Sequence, residues 1–258
     1  MTLEEAIAKI KPLDHNAMEI AQKRWDSIAK PLHSLGKLET LLIQIAGITG
    51  NAEVDLSRRG LIAMCADNGV VEEGVTQTGQ EVTAIVAENF LKYDTSVGVM
   101  CKQNHAEIFP VDMGMVTDTK VRTDHKIAYG TQNMTKGPAM TREQAVKGIE
   151  AGIDMVRELN DKGYRILATG EMGIGNTTTS SAVASVLLKQ PVEEMTGRGA
   201  GLTSEGLVRK INAIKKAIAL NKPDPEDAID VLAKVGGLDI AGMAGVFLGG
   251  AVYGIPVV

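Results

Sequence analysis

The sequence predicts an α/β fold, a mostly parallel open sheet covered by helices (Rossmann-like), with a small helical subdomain. Three observations carry this. Short apolar runs alternate with amphipathic stretches of helical period. The runs at 60–66, 106–114 and 164–170 each end in a Gly- or Asp-containing loop, as buried parallel strands do. Aromatics make up only 3% of the chain, while Gly (28) and Met (12) are abundant, a core suited to close helix-sheet packing.

Taken in order, residues 3–10 and 16–30 read as helices, with Asn16 as N-cap of the second and Pro31 stopping it. A polar segment punctuated by Pro and Gly then feeds a helix running to about Gly47. GLIAMCA (60–66) is a buried strand ending at Asp67-Asn68-Gly69, and 80–92 is a helix. AEIFPVDMG (106–114) is the next strand. The clearest helix is 141–162, where Thr141 and Gln144 form a capping-box pattern and Ala145, Ile149, Ile153, Val156 and Leu159 share a face. YRILATG (164–170) is a third strand, followed by a helix over 177–189. The helix at 204–220 is expected to bury Leu207, Ile211, Ile214 and Ile218, and 225–235 is a helix with Pro225 in its first turn. Residues 1–50 are expected to form a helical N-terminal layer contributing to a small domain, and 51–258 the α/β domain.

Composition narrows the function. The hydrophobic fraction, 44%, supports a substantial core, which excludes disorder. The net charge is −5 and no Lys/Arg block stands out, so nucleic acid and anionic membrane are poor partners. The two cysteines, Cys65 and Cys101, are too few for a disulfide scaffold and point to a reduced cytoplasmic interior. The start, MTLEEAIAKI, is acidic and amphipathic, unlike a secretory or transit signal. Ile240–Val258 has no charged residue over 19 positions, but six Gly or Pro residues interrupt it and it lacks a basic flank. It reads as a buried helix followed by the start of a strand. No motif with metal-ligand spacing is present, and the four histidines are scattered.

Three segments can carry chemistry. In ATGEMGIGNTTTSSA (168–182) a strand ends, small residues turn, and a helix opens at Asn176 or Thr177. Gly173 and Gly175 let the backbone approach a ligand. The free N–H groups of the helix start and the Thr177–Thr179 hydroxyls suit a phosphate. Asn176 stands where a Walker A loop needs Lys, and Thr178 where a dinucleotide fingerprint needs a small residue, so a monophosphate fits best. A purely structural strand-to-helix turn is the alternative. Glu171, just before this cradle, suits ribose hydroxyls or a ring N–H. In MTGRGAGLTSEGLVRK (195–210), Arg198 can clamp an anion and Lys210 can add a charge, although each taken alone reads more readily as a surface cation. In CADNGVVEEGVTQTGQEVT (65–83), Asp67 lies at a strand end, where side chains reach the ligand crevice. Thr78 and Gln80 form a polar loop before a helix.

With these segments in hand, the chain resembles the nicotinate-nucleotide–dimethylbenzimidazole phosphoribosyltransferase family. The resemblance rests on ordered motifs: RWDSIAKPLHSLGKLE (24–39), ADNGVVEEGVTQTGQEVT (66–83), VDMG (111–114), GTQNMTKGPAMTRE (130–143), GEMGIGNTT (170–178), GRGAGL (197–202) and VGGLDIAGMAG (235–245). It implies a six-stranded parallel sheet, a small helical domain, a homodimer and no cofactor or metal. The implied reaction takes nicotinate mononucleotide and 5,6-dimethylbenzimidazole to α-ribazole 5′-phosphate and nicotinate, in cobalamin lower-ligand synthesis. Carried over by position, Gly173, Ile174, Gly175, Asn176 and Thr177 line the nucleotide phosphate and ribose. Glu171 and Lys210 lie in the active site, Gln80 and Thr78 lie by the benzimidazole, and Gly237 and Asp239 lie beside the crevice. Asn68 stands where many members have His, which reads as a small departure. The family extends beyond GIPVV and keeps its general base, a Glu, in that part. This chain is therefore expected to be a shortened member in which Glu171 is the fallback base, or else a nucleotide-binding fragment that does not turn over.

Overall fold

The computed structural model describes residues 1–258. Its centre is a three-stranded parallel sheet of β1 (Arg59–Ala66), β2 (Ala106–Gly114) and β3 (Ile166–Met172), in the order β2-β1-β3. Leu61 of β1 pairs with Ile108 on one side and Ala168 on the other. The sheet has three strands where the family resemblance implies six. Along the free side of β3, Leu167 donates to the Pro256 carbonyl and accepts from the Val258 amide, both at 2.9 Å, so the expected strand start at 254–258 is a parallel bridge at Val257.

Helices cover both faces, as βαβ connectivity requires. The helices α1 (Leu3–Lys9), α6 (Arg142–Asp161) and α11 (Leu238–Tyr253) pack with Ile62, Met64, Ala66, Val111 and Leu167 in the main core. On the other face α4 (Glu81–Phe90) and α5 (Ser96–Gln103) enclose Ala63, Cys65 and Ile108. The apolar run at 240–258 is thus mostly α11, a buried helix, and no helix is long and apolar enough to cross a membrane. A third cluster joins α7 (Asn176–Leu187), α9 (Ser204–Asn221) and α10 (Ala228–Val235) through Ala182, Ile214 and Val231. Of the helical first fifty residues, α1 belongs to the main core. The pair α2 (His15–Ser27) and α3 (Lys37–Thr49) closes on a small cluster of its own, Ala17, Ala21 and Ala46.

Three local expectations are corrected. Asp14 rather than Asn16 caps α2, because its carboxylate reaches the Ala17 amide at 2.9 Å. Pro225 lies ahead of α10, whose cap is Asp227, accepting from the Ile229 and Asp230 amides. In α9 the buried stripe is Gly206, Lys210, Ala213, Ile214 and Ala217, while Leu207, Ile211 and Ile218 are only half-buried. The inward face is turned by one residue because Lys210 points into the protein. The capping box of α6 forms, with Thr141 accepting from the Gln144 amide and the Gln144 side chain from the Thr141 amide. Thr141→Ala is expected to cost about 1 kcal/mol, lowering the melting midpoint by roughly 2–4 °C in a calorimetric scan.

Candidate active site

The three strands are parallel, so their carboxyl ends lie along one edge of the sheet, the side on which open parallel sheets form their ligand crevice. Strand alternation decides which side chains arrive there. Leu167 points into the α11 side of the sheet, so Glu171, four residues on, points there too. Asp239, in the first turn of α11, lies close by, its Oδ2 against Gly173, two residues on from Glu171. The β3–α7 turn then passes Gly173 and Gly175, and Asn176 opens α7 with Gly175 as N-cap at φ +96°.

Asn68 is the centre of the arrangement. It is fully buried. Its Nδ2 donates to Asp239 Oδ2 at 3.3 Å, and its Oδ1 accepts from the Thr179 hydroxyl at 3.4 Å. Its carbonyl accepts from Gln80 Nε2 at 3.2 Å. One residue thus ties β1, α4, α7 and α11 together. The sequence flagged the strand-end turn but treated Asn68 as a small departure. Thr83, also unremarked in sequence, accepts from the Ile174 amide at 3.0 Å and fixes the cradle to α4.

Lys210 closes the far side of the cradle. It is 1% exposed, and its Nζ donates to Thr177 Oγ1 at 2.7 Å and to the Gly197 carbonyl at 3.2 Å. No carboxylate pairs with it. Gly199, at φ +56°, lies against both groups: a Cβ there would sit 2.8 Å from Thr177 Oγ1 and 3.5 Å from Lys210 Nζ. Gln77 Nε2 bonds the Gly201 carbonyl at 2.5 Å, joining this loop to the 76–80 loop. A buried ammonium therefore stands beside the positive N-terminal end of α7, with no carboxylate paired to it. That arrangement has the charge and the donors to hold an anion such as a phosphate.

Burial sets the charges. It pushes the Asp239 carboxyl up to about 7, helped by the facing Glu171 and opposed by the Ile240 and Asn68 amides. Burial raises Glu171 as well, against the Asn176 amide that donates to it. Burial lowers the Lys210 ammonium and drives the Cys65 thiol far up.

The expected site residues divide in two. Glu171, Gly173, Ile174, Gly175, Asn176, Thr177, Gln80, Lys210, Gly237 and Asp239 meet around the crevice. The other three do not join them directly. Asp67 turns behind it, where its Oδ2 accepts from the Val116 amide at 2.8 Å, and burial raises its carboxyl. Arg198 folds onto its own loop, giving Nη1 to the Leu202 carbonyl at 2.7 Å and Nη2 to Ser204 Oγ at 3.1 Å. Thr78 is exposed on the rim and offers its carbonyl to Thr76.

A cavity of about 740 Å³ lies elsewhere, between the α2–α3 hairpin and the C-terminal half of α11. It holds no convergent set of charged groups, so chemistry rather than volume marks the site. Asp124, His125 and Glu158 have metal-ligand spacing, but Arg122 already bridges both carboxylates, at 2.5 and 2.6 Å.

Comparison with known proteins shows the family. A family profile described as phosphoribosyltransferase matches residues 10–258. The nicotinate-nucleotide–dimethylbenzimidazole phosphoribosyltransferase of Ruminiclostridium cellulolyticum is 54% identical over 100% of this chain and 74% of its own. That of Clostridium acetobutylicum is 52% identical with the same coverage. The crystal structure of CobT from Thermus thermophilus superposes with a TM-score of 0.87 at 35% identity, over 94% of this chain and 73% of that one. The chain belongs to the nicotinate-nucleotide–dimethylbenzimidazole phosphoribosyltransferase family.

Proposed function

We propose that this chain moves the 5-phosphoribosyl group of nicotinate mononucleotide onto 5,6-dimethylbenzimidazole or a closely similar base, releasing nicotinate and forming α-ribazole 5′-phosphate. The observation that carries this reading is the buried, carboxylate-free Lys210 on Thr177 at the start of α7. A phosphate monoester is the anion that a helix N-terminus plus one ammonium suits. With the phosphate there, the ribose runs along Gly173–Asn176 toward Glu171, and the incoming base lies toward Gln80 and Thr78.

The chemistry asks little of the residues beyond positioning. The C1′–N bond of a pyridinium nucleotide breaks, and its electron pair returns to the ring nitrogen, which leaves uncharged. The benzimidazole nitrogen forms the new bond to C1′ from the opposite face, inverting it. Its N–H proton passes to a base. Glu171 is the carboxylate of this chain on the crevice floor that can take it, and burial has already raised its affinity for a proton. The reading includes a homodimer, which light scattering tests.

The deciding experiment mixes the 258-residue chain with nicotinate mononucleotide and dimethylbenzimidazole and follows nicotinate and α-ribazole phosphate by chromatography. Both products in equal amounts are expected. Saturable nucleotide binding without nicotinate release supports instead a nucleotide-binding module. No binding at millimolar nucleotide overturns the phosphate assignment.

A further inference from the structure

Asp239 is fully buried, yet no cation reaches it. Its carboxylate is threaded between two glycines. A Cβ on Gly173 would lie 2.8 Å from Asp239 Oδ2 and 3.1 Å from Asn68 Nδ2, and one on Gly237 would lie 2.6 Å from Asn68 Oδ1 and tighter still against Asp239. The carboxyl therefore sits directly behind the cradle backbone and does not open into the crevice. Glu171 lies beside Met64 in the sheet, Met64 packs against Gly242 one turn beyond Asp239, and Gly173, against Asp239 Oδ2, is two residues after Glu171, so the two carboxyls are neighbours, with Glu171 the more open. Glu171 also has an amide donor, Asn176, which favours its charged form.

The surroundings supply no counter-charge. β1 offers the neutral Cys65 thiol, and the turn after β1 offers Asp67 and the uncharged Asn68. On β2, Asp112 is already paired with Lys126 at 3.1 Å. The first turn of α7 has no charged side chain, and α6 meets the start of α11 with Gly148. At the end of α10, Lys234 is held by Asp230 at 2.8 Å and by the Lys222 carbonyl. Two carboxyls in such a place cannot both ionise cheaply.

We propose that Asp239 and Glu171 work as a carboxyl pair carrying a single negative charge, with the proton held on Asp239, and that Asp239 is thereby a positioning residue for the anionic nucleotide. Glu171 is left charged for the ribose and the proton transfer. Asn68 links the pair to α7 through Thr179. When Asp239 ionises, a second negative charge appears behind Gly173, and the cradle binds an anion less well. The ligand part of this inference rests on the nucleotide reading above, whereas the proton on Asp239 does not.

The test uses the full chain and Asp239→Asn. The Asn isostere is accommodated if the Asn68 amide turns over, giving its Oδ1 to the new side-chain amide and its Nδ2 to Thr179. The first readout needs no ligand. An acid whose folded-state value is raised, here from 3.8 to about 7, stabilises most below the lower value. That stability is lost as pH rises through the interval. The melting midpoint of Asp239→Asn is expected to gain on wild type from about pH 4 to 7 and to hold a constant lead above it. Parallel curves for the two proteins overturn the proposal. Should Asp239→Asn not fold, Glu171→Gln serves: removing that charge must move the wild-type stability transition to lower pH, and an unmoved transition overturns the proposal equally. The second readout is calorimetric affinity for nicotinate mononucleotide. Between about pH 6.5 and 8.5 the wild type is expected to lose roughly fivefold relative to Asp239→Asn. An unchanged ratio overturns the positioning role. If neither protein binds the nucleotide, the functional reading fails, and the melting curves still decide where the proton sits.

Discussion

Lys210→Met weakens nicotinate mononucleotide binding by about 100-fold while making the unliganded protein more stable. The two effects have opposite signs for one reason. In the unliganded chain the ammonium is buried on neutral acceptors only, Thr177 Oγ1 and the Gly197 carbonyl. An ion sealed from water without a counter-ion is costly, and Met fills the same volume without that cost. Both abandoned acceptors belong to exposed residues and regain water, so a gain of about 1–2 kcal/mol is expected in denaturant unfolding. With a phosphate present, the same ammonium becomes half of a buried ion pair. Its loss then costs about 3 kcal/mol of binding, which is the roughly 100-fold. The pH dependence follows with a definite sign. Burial lowers Lys210 below its ordinary 10.5, so between those two values the unfolded chain holds more protons than the native one. Wild-type stability therefore climbs with pH across that interval, and the Lys210→Met curve is flatter there. Calorimetry with the nucleotide, paired with urea titrations at several pH values, reads both effects. A variant that binds normally removes Lys210 from the anion site.

The strands and most helices were legible because period and punctuation agree locally. GLIAMCA and AEIFPVDMG fall within one residue of β1 and β2, and Thr141 with Gln144 marked the start of α6. The family followed from ordered motifs. What sequence left hidden is long-range. The stripe of α9 was read from its aliphatic residues, and the cation among them was assigned to the surface or to the site without its burial being visible. Only the fold brings α7 up to Lys210. Asn68 is separated from Asp239 by 171 positions, and no local pattern announces that contact. Arg198 is the converse. A Gly-rich loop with an arginine suggests an anion clamp, but the loop is short enough for Arg198 to satisfy its own Leu202 carbonyl first.

Gly173→Ala is the substitution that tests whether backbone approach, and not only charge, builds the crevice. β1 and β3 are neighbours in the sheet, paired from Arg59↔Ile166 to Cys65↔Met172, so their ends cannot part without breaking the ladder. A Cβ at Gly173 would collide with the Ala66 carbonyl, which is backbone, besides pressing on Asp239 Oδ2 and Asn68 Nδ2. A flexible side chain could yield, whereas the end of a central strand cannot. The cradle must then swing away from β1, which breaks the Ile174–Thr83 bond and displaces Asn176 from Glu171. The expected cost is about 2–4 kcal/mol of stability, in the range for overpacking with lost buried hydrogen bonds. Nucleotide affinity should fall about 100-fold, since a cradle misplaced by an ångström loses its aligned donors. Gly170→Ala, three residues back and inside β3, is the control. A Cβ there meets nothing within 4 Å, and the residue's φ is not positive. That change should be neutral or stabilise by about 0.5 kcal/mol through the unfolded chain, with affinity intact. Equal losses from both alanines would mean that β3 tolerates no substitution at its end, and close approach at Gly173 would then have no special part in holding the phosphate.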